Sequence, residues 1–257
     1  MLRNATIRLE DLRYLPCSCE VCARYKATEL LELVDETRFR ELAIHNLYVI
    51  KEEVDAVKQA IMDGRLWEYI VQKAMSHPRL AETLEVFKES SDYLEEGTPL
   101  SKDKAIFLFS PLDQYRPEVS RFRRMVLNTK STKKILLLLP EPDTHPFYTQ
   151  YSELRTMLDS SVQLAYYSPF LGIVPEEISD VFPAAQHVAT RSKFDPYKFE
   201  TFGNALLAYI GKNEFKHVVA VADDFLESFL INSGDKVLLL PYNAKMHDIA
   251  NAVNEAK

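Results

Sequence analysis

Glycine is scarce in this chain, at 6 of 257 residues, and no GxGxxG occurs. A Gly-rich loop that brings backbone close to a phosphate is therefore not expected. Long apolar runs are missing as well. The longest, ILLLLP at residues 135–140, has the length of a buried strand, far short of the roughly 18–20 residues a bilayer-spanning helix needs. The N-terminal stretch MLRNATIRLEDLRYLP is too charged for a signal peptide. No membrane association and a cytoplasmic location are the expectations. Positive charge is not in excess either: the net charge is −7, unlike a protein that binds nucleic acid through bulk charge. Only 3 cysteines are present. An odd number cannot all pair within the chain, which argues against a secreted disulfide framework. No internal repeat is found.

What is present suits an ordinary globular protein. Hydrophobic residues make up 47% and charged residues 27%, enough for one large domain or two modest ones. The charge divides unevenly, with a net of −6 over residues 1–96 and −1 over 97–257. Between them, ESSDYLEEGTPLSKDKA (89–105) breaks the periodic pattern with Ser, Gly and Pro. This predicts a linker, with domains at 1–96 and 97–257.

The first part reads as helical. Leu47, Ile50, Val54, Val57 and Ile61 follow His45 at spacings of three and four, the period of an amphipathic helix, and Gly64 is a plausible stop. A second helix is expected over LWEYIVQKAM and a third over PRLAETLEVFKES, with Pro78 in its first turn. The second part changes period. AIFLFS, KILLLLP, VQLAYYS, HVVAVA and KVLLLP are short, near-continuous apolar runs separated by helical patterns. Strands buried on both faces of a parallel sheet read this way. The fold class is α/β: a helical N-terminal segment, then a layered α/β domain with a mainly parallel sheet.

All three cysteines fall within six positions, in LPCSCEVCARY. Cys17, Cys19 and Cys22 offer three thiolates from one tight loop, and a structural zinc takes four ligands in a tetrahedron. No fourth cysteine exists. His45, 22 intervening residues past Cys22, is the nearest histidine and sits at the head of the periodic helix. The expected site is Cys17, Cys19, Cys22 and His45 around one zinc ion per chain. Four protein ligands leave no position for water, so the zinc is structural rather than catalytic. No His-x-Glu pair of the zinc-deaminase kind accompanies it. The competing readings are a redox thiol cluster or a chance spacing, and a core histidine at position 45. His77, His145, His187, His217 and His247 lack such a setting and read as surface or cap residues.

Other features have an ordinary reading beside a functional one. Arg121, Arg123 and Arg124, following Arg116, are candidates for phosphate contacts, though a solvated helix face is favoured. Asp223 and Asp224 follow a strand where α/β sheets often bind ligands, and more simply cap the next helix. Tyr166 and Tyr167 are candidates for base stacking, with core packing the safer reading.

The Cys-x-Cys-x-x-Cys spacing with the later HNLY resembles the zinc-binding segment of tRNA-guanine transglycosylases. LEDLRYLPCSCEVCARY, LAIHNLYVIKEEVDAVKQAIMDGRLWEYI and SHPRL together are similar to the archaeosine branch of that family, over residues 6–85. YRPEVSRFRRMVLN (115–128) and YYSPFLGIVPEEISDVFPAAQH (166–187) extend the resemblance into the domain that follows the catalytic part. A uracil-DNA-glycosylase-like three-layer fold is implied there. Archaeosine synthases carry a related domain with a Pro-Cys motif and a lysine. LPEPDTHPFYTQYSEL, in the comparable place, has neither, so synthase activity is not carried over.

The family exchanges a D-arm guanine of tRNA for 7-cyano-7-deazaguanine, using two aspartates of a TIM barrel that precedes the zinc segment. Sixteen residues precede Cys17 here, against the roughly 250 of such a barrel. No residue of this chain can be assigned as either aspartate. The resemblance therefore implies a C-terminal component of a split enzyme, inactive without a barrel chain, with tRNA bound through the complex and a dimer interface at the zinc segment. A piece of a full-length enzyme predicts the same fold and ligands. A non-catalytic zinc-stabilised module for tRNA or protein, and a self-sufficient base-processing enzyme using the α/β cleft, are the competing functions.

Overall fold

The structure is a computed structural model that describes residues 5–191, 194–230 and 236–256. The chain divides into two compact units, Met1–Leu84 and Glu85–Lys257.

The first unit is helical: α1 Glu20–Arg24, α2 Ala27–Glu32, α3 Asp35–Met62, α4 Leu66–Ala74 and α5 Pro78–Thr83. The helix expected from His45 starts ten residues earlier, in an acidic first turn (Asp35, Glu36) that suits the positive end of a helix. Gly64 ends it. At φ 69° it adopts the left-handed conformation that side chains disfavour. The Gly64 N–H then bonds the Ile61 carbonyl at 3.0 Å and the Arg65 N–H bonds that of Ala60 at 2.8 Å, closing the last turn in the Schellman pattern. Glu53 of α3 takes hydrogen bonds from Tyr69 and, at 2.7 Å, from Lys73, tying α3 to α4. His77 is the cap the sequence allowed: its Nδ1 accepts the Arg79 N–H at 3.1 Å.

The face that α3 buries is not the predicted one. Glu41, His45, Val49 and Ala60 are buried. Leu47, Ile50, Val54 and Ile61 are exposed, at 67%, 46%, 46% and 56%. The periodicity is real, yet most of its apolar stripe faces away from the unit's own core.

The second unit contains short helices α6 Val86–Glu89 and α7 Ser91–Glu96, then β1 Ile106–Leu108, α8 Pro117–Asn128, β2 Ile135–Pro140, α9 Ser152–Met157, β3 Val162–Ser168 and β4 Gly172–Pro175. It continues with β5 His187–Ala189, α10 Glu200–Asn213, β6 His217–Ala222, α11 Asp224–Leu230, β7 Val237–Pro241 and α12 Met246–Glu255. Residues 85–96 pack here rather than with the first unit. The third helix expected from PRLAETLEVFKES is split between α5 and α6.

The main sheet has strand order β4-β3-β2-β6-β7, antiparallel only between β3 and β4. Leu136–Leu139 of β2 are fully buried, as their near-continuous apolar run requires. The first expected strand does not join this sheet. β1 pairs in parallel with β5 in a separate two-stranded sheet. α8 and α10 pack together and against β4, whereas α9 packs with α12 and α12 with β6. With right-handed crossovers, these two pairs cover opposite faces, giving helix, sheet and helix layers. Gly172 opens β4 at φ 86°.

Two charged stretches behave unlike solvated surface. Arg116 is fully buried and Glu118 nearly so, their side chains 3.4 Å apart, with Lys102 completing the group. Arg121 donates to the Glu95, Thr98 and Pro99 carbonyls at 2.6, 2.7 and 2.8 Å, and Arg124 pairs with Glu95 and Asp92. These arginines fasten the 92–99 segment onto α8, the stretch predicted to be a linker. Tyr166 and Tyr167 are core residues. No helix among the described residues is long and apolar enough to cross a membrane.

Candidate metal centre

α1 and α3 build the centre together, and the two pack against each other. Cys17 and Cys19 lie in the loop entering α1, with Cys19 at its N-cap and Cys22 inside it. His45 comes from the middle of α3. The helix does not begin at His45, so the histidine is held rigidly on both sides. Cys19 and His45 are each 6% exposed, while Cys17 and Cys22 are half-buried. The surroundings are apolar: Val21 and Leu30 are buried, and Leu9, Leu15, Leu33, Leu42 and Ile44 pack around them. Arg24 and Glu41, 3.7 Å apart, add an ion pair between the two helices.

The four donor atoms lie within 4.8 Å of one another. His45 Nδ1 is 3.4 Å from Cys19 Sγ and 3.3 Å from Cys22 Sγ. In a tetrahedral site with metal–sulfur bonds of about 2.3 Å and metal–nitrogen bonds of about 2.0 Å, the S···N edge is about 3.5 Å. The cluster therefore fits a four-coordinate metal ion.

Its electrostatics agree. Burial would raise Cys19, but hydrogen bonds from the Cys22 backbone and His45 outweigh it and bring the thiol down to about 7. Cys22 is pushed up to about 12, first by burial and then by Cys19 and Cys17 beside it. Burial also raises Cys17. Without a cation the three thiols cannot all ionise; a divalent ion would let them. The Cys19 N–H, 3.4 Å from Cys17 Sγ, is the kind of backbone donor that supports a thiolate ligand.

The other sequence candidates stand apart from this centre. Asp223 is a helix cap, accepting the Leu226 N–H at 2.9 Å. His187, read from the sequence as a surface or cap residue, is buried. Its Nε2 lies 2.8 Å from Glu141, and its Nδ1 lies 3.1 Å from the carbonyls of Pro183 and Ala184. The partners are up to 46 positions apart, so no local pattern in the sequence announces them.

Comparison with known proteins accounts for both units. Residues 1–79 match the Queuine tRNA-ribosyltransferase family, and residues 119–244 match a domain of unknown function (DUF5591). The tRNA-guanine(15) transglycosylase of Saccharolobus solfataricus is 34% identical over 224 residues, covering 84% of this chain and 44% of that protein. That of Sulfolobus acidocaldarius is 38% identical over 189 residues, covering 72% and 37%. That of Methanococcus aeolicus is 30% identical along the whole chain, covering 36% of its own length. The chain thus spans less than half the length of these curated relatives. A crystal structure of a protein of unknown function overlaps 51% of this chain at 17% identity, with a TM-score of 0.40, below what a shared fold requires. Taken with the thiol-imidazole cluster inside the family-matched segment, the matched family and these relatives fit the C-terminal part of an archaeal tRNA-guanine transglycosylase.

Proposed function

We propose that this chain is the zinc-holding component of a tRNA-guanine transglycosylase and works with a catalytic barrel carried on another chain. The assembled enzyme exchanges a D-arm guanine of tRNA for 7-cyano-7-deazaguanine, on the way to archaeosine, in the cytoplasm. Zinc is bound by Cys17, Cys19, Cys22 and His45, one ion per chain. Its task is to fasten α1 to α3; with four protein ligands it has no open position for substrate. The aspartates of the exchange come from the barrel. The second unit is read as a uracil-DNA-glycosylase-like layer, in keeping with its parallel sheet and paired helices.

The observation that carries this reading is the exposed stripe on α3. Leu47, Ile50, Val54 and Ile61 recur along one helix that also bears His45. A run of large apolar side chains exposed on a helix marks an interaction surface. The zinc centre stiffens that same helix, so it would present the stripe to the barrel as a rigid face, and a second copy could dimerise through the same segment.

Replacing Leu47 and Val54 together with glutamate tests the stripe. Both side chains are exposed, so the melting temperature should stay within a few degrees of the parent. Association with the barrel chain, followed by sedimentation velocity, should weaken at least about tenfold, the loss typical of apolar anchors. Undiminished association would rule out the stripe as the docking surface.

A further inference from the structure

The charge of the second unit is segregated by the direction of its strands. β2, β3, β6 and β7 run parallel, so their amino ends share one edge of the sheet and their carboxyl ends the other. The carboxyl ends of β2 and β6 lead into Glu141, Asp143, Asp223 and Asp224. The amino edge carries lysines instead: Lys130, Lys133 and Lys134 before β2, Lys212 and Lys216 before β6, and Lys236 before β7.

Backbone pairing holds these lysines together. The Lys216 N–H bonds the Lys134 carbonyl at 2.8 Å, and the Val218 N–H bonds that of Lys236 at 2.9 Å. Lys134, Lys216 and Lys236 therefore stand at the ends of three adjacent strands, about 4.8 Å from strand to strand. The Asn213 side chain accepts the Ser131 N–H at 2.6 Å and anchors the 129–134 loop beside the end of α10. Two of the six lysines are held by backbone: Lys133 donates to the Ser160 carbonyl, and Lys212 to that of Leu127. The second contact meets the C-terminal turn of α8, where cations are favoured. Lys130, Lys134, Lys216 and Lys236 are exposed, and none of the six pairs with a carboxylate among the described residues. Asp159 and Glu214 are the acidic residues described on this edge, so positive charge predominates. The net charge of −7 conceals this local field. Arg121 and Arg124, candidates for phosphate contacts by sequence, are engaged elsewhere, on the 92–99 segment.

We propose that this lysine edge is a docking surface for the phosphate backbone of a folded RNA. The choice of RNA over other polyanions rests on the transglycosylase reading. Lysine is a point charge without the planar fork of arginine, and the edge presents no exposed aromatic side chain among the described residues. The contacts are therefore to phosphates, which position an RNA without reading or stacking its bases. The acidic opposite edge repels the same backbone and so orients the docking.

The test measures a fluorescein-labelled tRNA transcript binding to the full chain alone, by anisotropy, over about 50–200 mM potassium chloride. Binding should saturate with a Kd of about 1–100 μM and weaken as salt rises. Lys134→Glu combined with Lys216→Glu should weaken it at least about tenfold. The slope of log affinity against log salt should become shallower by about 1.4–1.8, for two phosphate contacts at about 0.7–0.9 each. Both side chains are exposed, so the melting temperature should stay within a few degrees of the parent. Lys198→Glu combined with Lys245→Glu changes the net charge equally, at exposed lysines beside the starts of α10 and α12. It should leave affinity within about twofold, because distant charges are screened. No saturable binding by the parent, an unchanged Lys134/Lys216 variant, or an equal loss from the control pair would overturn the assignment. So would a preference for phosphatidylserine vesicles over the tRNA. Only this chain and RNA enter the measurement, so its failure would leave exchange with a barrel chain standing, and failed exchange would leave this result standing.

Discussion

Cys19→Ser is expected to empty the metal centre and unfold the first unit while the second stays folded. Cys19 is the most buried of the three thiols, has the lowest pKa at about 7, and lies 3.4 Å from His45. It is the ligand best prepared to ionise, and it sits at the N-cap of α1. Serine keeps the size but loses the soft thiolate, and a three-ligand site holds zinc far more weakly. The consequence for folding is large because structural zinc contributes about 10–16 kcal/mol of apparent binding free energy in small domains. Little else stands ready to replace it: apart from Cys19, the cluster around the centre has only Val21 and Leu30 fully buried. Elemental analysis should fall from about one zinc per chain to near zero. Amide hydrogen exchange should lose protection across α1 to α4 and retain it in β2, β3 and β6. Full protection of α3 in a metal-free variant would contradict this account.

The second large effect lies in the second unit. Glu118→Ala should destabilise it by about 3–5 kcal/mol, the usual cost of breaking a buried ion pair by removing one partner. Its partner Arg116 is wholly buried and also donates to the Phe107 carbonyl at 3.1 Å. Burial works against ionised Glu118, but Arg116 and Lys102 outweigh it and hold its carboxyl below the usual range. Glu141 is held low in the same way by His187, again against burial. The sign of the pH dependence follows. A carboxylate with a depressed folded-state pKa contributes its full stability above the unfolded value, about 4.3 for glutamate. It loses that contribution as pH falls through the folded value. Urea midpoints for the second unit should therefore be flat from pH 7 to about 5 and fall steeply below about 4. Glu118→Gln should start lower at pH 7 and show a shallower acid slope. An unchanged slope would remove Glu118 from the acid transition.

These two sites differ in how far the sequence reveals them. Cys17, Cys19 and Cys22 share one loop, so their spacing alone brings three donors together. The fourth, His45, needed only a helix that returns to the loop, and α3 does so. The buried network of the second unit has no such local signature. Arg116 and Glu118 look like two charges on a helix start, and only the fold encloses them with Lys102. His187 opens β5 and Glu141 follows the end of β2, and the two meet through tertiary structure alone. Periodicity announced α3 but could not say which stripe would be covered, because Leu47 and Val54 carry the same signal whether they face a core or a partner. The apolar runs of β2, β3 and β6 were legible because both their faces are buried; the run of β7 reads the same way, yet that strand lies at the sheet edge and is partly exposed. β4 and β5, at 4 and 3 residues, are too short to register against their surroundings. β1 read correctly as a strand, but its pairing with β5 depended on a partner that the sequence did not display.

The most direct test of the central claim is guanine exchange into tRNA, measured with this chain alone, a transglycosylase barrel chain alone, and the two together. The account predicts exchange in the mixture only, lost again when Cys19→Ser replaces the parent chain. Full exchange by the barrel chain alone, or turnover by this chain alone, would contradict it.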